Sequence, residues 1–423
     1  MDNSILLRNG MLLSDPLCDA CDLRIVNGSI QEIGAHLPLS GSRAVDISGL
    51  HIAPGFVDLH VHLREPGFSY KETIASGTRA AAAGGYTTVC AMPNVLPTPD
   101  CIESLLLQKQ LITENACIEV LPLGTLTVGE SGQALSDIRA LAPYCHGFSD
   151  DGKGVQSETL MRSAMEAVAD AQRTLFAHCE ENALLTPGGC VHQGIAAAIY
   201  HVPGIASDTE YQQVARDIAL VRKTGVRYHV CHVSAKESVQ LIREAKAEGL
   251  PVTCECTPHQ LLLCDEDIIA DDGRYKMNPP LRTRSDRDAI RTGLLDGTID
   301  CIATDHAPHS AEEKSRGLLG SAFGVVGLET AFSVCYTELV QKGLCTASLL
   351  MEKMVYAPTR ILGRPLPLRV GSPASFTLID LAKRYVIRGD AFQSLGKHTP
   401  FEGKEVSGQI VSTWYRGQEI YTA

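Results

Sequence analysis

The chain has no surplus of positive charge: 37 Lys and Arg stand against 49 Asp and Glu, giving a formal net charge of −12. That balance recommends neither a nucleic-acid nor an anionic-membrane partner. No apolar run is long enough to span a bilayer. The N-terminus, Met1-Asp-Asn-Ser-Ile-Leu-Leu-Arg8, lacks the basic start and long apolar stretch of a secretion signal, so a cytoplasmic location is expected. Low-complexity linkers are missing as well. What is present is 44% hydrophobic and 20% charged residues, the balance of a globular protein with a substantial core. A length of 423 residues is long for one ordinary domain but fits a large barrel with a small accessory domain.

The 15 cysteines are scattered, and Cys90, Cys231 and Cys301 sit in apolar, strand-like runs. Reduced, buried thiols explain that pattern better than a disulfide framework. Cys18-Asp-Ala-Cys21 stands alone, and without a second pair it does not make a zinc or redox site. Cys254-Glu-Cys256 reads as strand.

Both ends of the chain are β-rich. Ile5–Leu13 and Leu23–Ile30 each centre on Asn-Gly, which tolerates positive φ at both turn positions and so predicts two hairpins. Ser375–Asp380, Gly408–Trp414 and Glu419–Tyr421 have the same character. The ends are expected to pair into one small β-sandwich domain, built from residues 1–52 and 364–423. Between them, residues 53–363 alternate short apolar runs with helical patterns. The runs lie near 56–62, 86–92, 117–123, 146–150, 174–178, 226–232, 251–256 and 299–303. Helical periodicity marks Tyr70–Ala83, Gln156–Ala171, Thr209–Lys223, Ala235–Glu248 and Arg284–Leu295. This α/β alternation predicts a closed (β/α)8 TIM-like barrel, with an open doubly wound sheet as the alternative.

The most informative stretch is Gly55–Gly67. There Val57, Leu59 and Val61 alternate with His60 and His62, so a strand would aim both imidazoles the same way. Paired neutral imidazoles suit a divalent transition metal such as zinc. Other polar groups recur where the apolar runs stop: Arg64, Asn94, Asp150 and Asp151, His178 and Glu180, His232, His259, then Asp305, His306 and His309. In a parallel barrel these ends share one rim, where such folds place their active sites.

Three segments, Asp58-Leu-His-Val-His-Leu-Arg-Glu-Pro-Gly67, Ala91-Met-Pro-Asn94 and Thr304-Asp-His-Ala-Pro-His309, resemble the amidohydrolase superfamily. Together with Phe148-Ser-Asp-Asp-Gly152, Met277-Asn-Pro-Pro-Leu-Arg282 and Phe323-Gly-Val-Val-Gly-Leu-Glu-Thr330, they resemble more narrowly the longer bacterial dihydroorotases, from about Leu50 to Gly363. The resemblance implies a metal-dependent, metal-activated hydrolase that interconverts L-dihydroorotate and N-carbamoyl-L-aspartate in de novo pyrimidine (UMP) synthesis, with two Zn2+ per subunit. Carried over, His60, His62 and Asp305 would hold the more buried ion and His178 and His232 the other. Asp151 would bridge them. Alternation does not choose between Asp150 and Asp151; the resemblance points to Asp151, with a carbamylated Lys153 as rival.

By the same resemblance Asp305 would also be the general base. Arg64, Asn94 and His309, beside His62, would receive the ring carboxylate. Asn278 and the backbone at Phe323 and Gly324 would meet the imide edge. The polar stretch 310–321 reads as a lid or a static loop. Rival readings are a hydantoinase or allantoinase, and an inactive scaffold for aspartate transcarbamoylase, against which the full ligand set weighs. A homodimer and association with that transcarbamoylase are both compatible with the sequence.

Overall fold

The computed structural model describes residues 4–13 and 20–423. Cys18 of the lone Cys-x-x-Cys pair and the first three residues of the N-terminus lie outside the described residues. Each apolar run forms a strand: Phe56–Val61, Tyr86–Ala91, Glu119–Pro122 with Gly124–Thr125, Gly147–Ser149, Thr174–Ala177, Arg227–Val230, Val252–Cys256 and Cys301–Ile302. We call these barrel strands 1 to 8. Neighbours pair in parallel, as expected of short apolar strands covered on both faces.

The ladder is interrupted in two places. Strand 3 breaks after Pro122, which has no N–H to offer. Its first piece pairs with strand 2 and its second with strand 4. Strand 8 meets strand 1 through a parallel bridge between Val61 and His306, with the His62 amide donating to the His306 carbonyl at 2.9 Å. The buried Asp58 carboxylate strengthens this seam by accepting the His60 amide at 3.0 Å and the Thr304 amide at 3.2 Å. Inside the barrel, Val57, Leu59, Cys90, Met92, Leu121, Phe176, Cys231 and Cys301 pack into an apolar plug. The polar rim sits above that plug.

Helices Ile74–Ala83, Glu158–Asp170, Asp208–Thr224, Lys236–Ala247 and Arg284–Asp296 occupy the periodic stretches. Capping boxes at Thr73 with Ser76 and at Thr283 with Asp286 satisfy first-turn amides and fix two of these starts. A short ladder of Val191–His192 with Gly204–Ile205 between strands 5 and 6 has no counterpart in the predicted pattern.

At the chain ends, Ser4–Leu12, Cys21–Val26, Ser29–Gly34, Arg43–Asp46 and His51–Pro54 join Phe376–Val386, Glu405–Tyr415 and Gln418–Thr422 in one eight-stranded sheet. His51–Pro54 lies antiparallel to Phe376–Val386 and links the two ends. The sheet folds over a core that includes Ile5, Leu7, Ile25, Phe376 and Trp414, with the Phe376 and Trp414 rings stacked at 5.5 Å.

One of the two predicted hairpins forms. Asn27 (φ 49°) and Gly28 (φ 79°) turn Val26 back onto Ser29. Asn9-Gly10 instead makes a bulge inside the continuous strand Ser4–Leu12. Asn9 (φ 64°) donates its backbone amide to Asp22 at 2.8 Å and its side-chain amide to Asp46 at 2.9 Å. The residues beyond it pair with His51–Pro54, a partner distant in sequence that local turn chemistry does not reveal. A Cβ at Gly10 would sit 2.6 Å from Ile47 Cδ1, so a larger residue there would displace that side chain.

Candidate active site

Strand alternation sets His60 and His62 on one side of strand 1, with ring centroids 5.2 Å apart. Asp305 leaves the end of strand 8 with φ 48° and places Oδ1 3.0 Å from His62 Nε2 and 3.5 Å from His60 Nε2. Asp151, after strand 4, sets Oδ1 3.3 Å from His60 Nε2 and 3.8 Å from His232 Nε2, and Oδ2 3.5 Å from His62 Nε2. His232 (φ 33°) follows strand 6, and its Nε2 is 3.0 Å from His178 Nδ1 at the end of strand 5. Left-handed backbone at Asp305, His232 and Arg64 (φ 61°) is the kind of strain that functional sites hold.

Among the described residues four groups bring their donor atoms within 4.8 Å of one another. Two lie at the rim, His60, His62 and Asp305, and His60, Asp151 and His232, while the other two, His60 with Cys231 and Glu255, and His229 with Glu255 and Cys301, share Glu255. His178 adjoins the second rim group through His232 rather than belonging to it. His60 Nε2, Asp151 Oδ1 and His178 Nε2 are buried without a hydrogen-bond partner. Such orphaned atoms are costly unless something else satisfies them, and imidazole with carboxylate suits zinc-class cations. The residues therefore fit a metal centre.

The neighbouring ring nitrogens are held by acceptors. His60 Nδ1 lies 3.0 Å from Glu255 Oε1, and His62 Nδ1 lies 2.9 Å from Asn94 Oδ1. Each contact favours the tautomer that frees Nε2 as an electron-pair donor. Glu255 also takes His229 Nε2 at 3.1 Å. Burial alone would raise its pKa, but His229 and His60 hold it down to about 2. Burial likewise opposes a charged Asp151, and the surrounding imidazoles hold it well below the usual carboxylate range.

The neighbouring candidates separate cleanly. Asp150 accepts the amides of Leu126 at 2.8 Å and Thr127 at 3.1 Å together with the Thr127 hydroxyl, so its oxygens are engaged in holding the strand-3 loop. The Lys153 side chain is 57% exposed, with Nζ 4.0 Å from Glu130. Neither joins the imidazoles.

On the rim, Arg64 Nε donates to the Pro308 carbonyl at 3.2 Å and Nη2 lies 3.4 Å from His309 Nε2. Its Nη1 has no protein partner among the described residues. Asn94 spends its carbonyl on His62, and its NH2 group has no hydrogen-bond partner among the described residues. His309 donates Nε2–H to the Phe323 carbonyl at 2.7 Å, while Nδ1 faces Lys71 Nζ at 3.3 Å. Burial and three nearby cations push the His309 pKa down to about 3, so the ring stays neutral. The Gly324 amide donates to the Lys276 carbonyl at 3.0 Å, and a Cβ at Gly324 would lie 2.6 Å from the Ala307 carbonyl oxygen. Asn278 reaches Glu180 at 3.0 Å, and Glu180 in turn faces His178 Nε2 at 3.7 Å.

The stretch 310–321 is folded. Helices Ala311–Lys314 and Gly317–Gly320 occupy it, and Lys314 Nζ donates to the carbonyls of Lys276, Ala322 and Gly324 at 3.0, 2.8 and 2.6 Å.

Sequence reasoning passed over Glu255, although a carboxylate inside the otherwise apolar run Val252–Cys256 was a usable signal. It also gave little weight to His259, which is buried with Nε2 unpartnered and its pKa lowered by burial to about 4. His306 was likewise set aside, yet its carbonyl anchors the His62 amide and its ring faces Glu72 at 3.6 Å. No local signal announces those contacts.

A Dihydro-orotase-like family model matches residues 49–238. A dihydroorotase from Geobacillus sp. (strain WCH70) is 47% identical over 99% of both chains. One from Macrococcus caseolyticus is 45% identical over 99% of this chain and 98% of its own. Among solved structures, an L-hydantoinase (dihydropyrimidinase) from Arthrobacter aurescens superposes with a TM-score of 0.89 at 25% identity, covering 100% of this chain and 96% of that one. Likeness over nearly the whole length, on a barrel whose rim gathers these imidazoles and carboxylates, identifies the chain as a cyclic amide hydrolase that belongs to the dihydroorotase family.

Proposed function

We propose that this chain catalyses the reversible ring opening of L-dihydroorotate to N-carbamoyl-L-aspartate at a pair of zinc ions. His60, His62 and Asp305 would hold one ion, His178 and His232 the other, and Asp151 would be shared. The observation that carries this reading is the pair of buried, unpartnered donor atoms His60 Nε2 and Asp151 Oδ1, 3.3 Å apart and grouped with His62, His232 and Asp305, with His178 adjoining through His232. When bound, the metal pair supplies Lewis-acid polarisation of the amide carbonyl and a lowered pKa for water.

The protein's own groups do the rest. Asp305, beside both His60 and His62, takes the proton of the attacking water and delivers it to the ring nitrogen as the C–N bond breaks. In the reverse direction it takes that proton from the ureido nitrogen. Arg64, through its unengaged Nη1, and Asn94, through its NH2, clasp the ring carboxylate. His309 would join them by exchanging one of its present partners, Phe323 or Lys71, for the substrate. Asn278 and the backbone at Phe323 and Gly324 line the imide edge. Glu255 and Asn94 keep the strand-1 imidazoles aimed at the metals.

The test is metal analysis of the purified protein alongside turnover of dihydroorotate, hydantoin and allantoin. The expected result is about two zinc ions per chain and turnover of dihydroorotate. Turnover of hydantoin or allantoin with none of dihydroorotate would reverse the substrate assignment.

A further inference from the structure

One well-formed cavity lies away from the metal-facing rim. It lies toward the opposite end of the barrel, where Val57 and Thr88 of strands 1 and 2 and Glu119 of strand 3 meet the segment 364–373 and the turn at Tyr415 and Arg416. Its volume, about 560 Å³, is that of a small-molecule site.

Its charge runs against the rest of the protein. The cavity holds Arg364, Arg369 and Arg416 against the single carboxylate of Glu119, in a chain whose net charge is −12. Glu119 is already committed: it accepts from both terminal nitrogens of Arg364, with Nη2 at 2.7 Å, and from the Thr88 hydroxyl at 3.2 Å. Arg369 and Arg416 are exposed and make no ion pair among the described residues. The Arg416 guanidinium lies 5.2 Å from the centre of the half-buried Tyr415 ring, and Arg369 lines the same cavity. Val57, Leu362 and Leu366 supply apolar wall.

From this arrangement we propose that the cavity is a second ligand site, taking a planar organic anion: an aromatic or heterocyclic ring that bears a phosphate or a carboxylate. The ring would lie against Tyr415 and the apolar wall, and the anion would meet Arg369 and Arg416. Nothing in the ring-opening chemistry uses these residues, which stand toward the foot of the strand that carries His60 and His62.

Calorimetric titration of the full-length, zinc-loaded protein tests this with adenosine 5′-monophosphate, benzoate, adenosine and inorganic phosphate. Trp414, the only tryptophan and next to Tyr415, gives a fluorescence readout on the same samples. The expectation is saturable binding of the monophosphate or the benzoate with Kd below about 1 mM, with adenosine and phosphate alone at least about tenfold weaker. Tighter binding of the monophosphate assigns a phosphate ligand, and tighter binding of benzoate a carboxylate. The double variant R369E/R416E should weaken binding at least about tenfold and leave dihydroorotate turnover unchanged. The proposal is overturned if neither ringed anion binds with Kd below about 1 mM, if phosphate alone binds as well as the monophosphate, or if the double variant binds like the parent.

Discussion

Glu255 lies 3.0 Å from His60 Nδ1 and so turns His60 Nε2 toward Asp151 and Asp305. The carboxylate is fully buried, where an unpaired charge would be prohibitive, and His229 shares it from the other side. A carboxylate behind a metal-binding imidazole raises the ring's basicity and fixes its tautomer. Glu255→Gln should therefore lower zinc affinity about 10- to 100-fold, measured by competition with a chromogenic chelator. Unchanged affinity would remove Glu255 from this role.

Asp305→Asn keeps the shape of the side chain but cannot accept the water proton at neutral pH. Turnover per bound metal should fall by about 10²- to 10⁴-fold. Dividing by metal content matters, because the same carboxylate is a proposed ligand. Near-normal turnover in the metal-loaded variant would exclude it as the base.

Arg64→Met removes a rim cation whose Nη1 is unengaged among the described residues. The KM for dihydroorotate should rise about 10- to 100-fold, since a charge-assisted pair to the ring carboxylate is lost. Any weak turnover of hydantoin, which lacks that carboxylate, should change little. Equal losses on both substrates would mean that Arg64 shapes the rim rather than reading the acid.

The barrel was legible because its strands are short apolar runs and its helices carry clean periodicity. Strand alternation alone placed His60 and His62 together. The site was legible in part because its residues end strands, where side chains must point into the rim. What escaped was long-range. Beyond the Asn9-Gly10 bulge, Met11 and Leu12 pair with His51 and Ile52, far along the chain, and Glu255 faces His60 across the barrel interior. The choice between Asp150 and Asp151 was equally hidden. What separates the two in the fold is where the Leu126 and Thr127 amides lie, and nothing in the pair of aspartates shows that.

Those amides yield a three-way comparison. Asp151→Asn should strip metal and activity together, because its oxygens face His60, His62 and His232. Asp150→Asn should instead destabilise the fold by about 1–3 kcal/mol through the weakened hold on the strand-3 loop, with metal stoichiometry retained. Lys153→Ala, at an exposed position, should change neither. Loss of metal in the lysine variant, with a labile carbamate on Lys153 by mass spectrometry, would transfer the bridging role to it.

Glu329 gives a test of pH dependence away from the metals. Its carboxylate accepts the amides of Gln393 at 2.8 Å and Ser394 at 3.1 Å, pinning the segment that crosses behind His306. Burial outweighs those two hydrogen bonds and pushes its pKa from an ordinary 4.5 up to about 7. Between these values the folded protein keeps a proton that the unfolded chain has released. Stability from this group is therefore greatest below about pH 4.5, falls as pH rises to about 7, and then levels. Denaturant titrations at about pH 5 and pH 7.5 should show the parent losing on the order of 1–3 kcal/mol more than Glu329→Gln over that interval. Parallel losses in the two proteins would mean that Glu329 is ionised throughout, held by its two amides against the cost of burial.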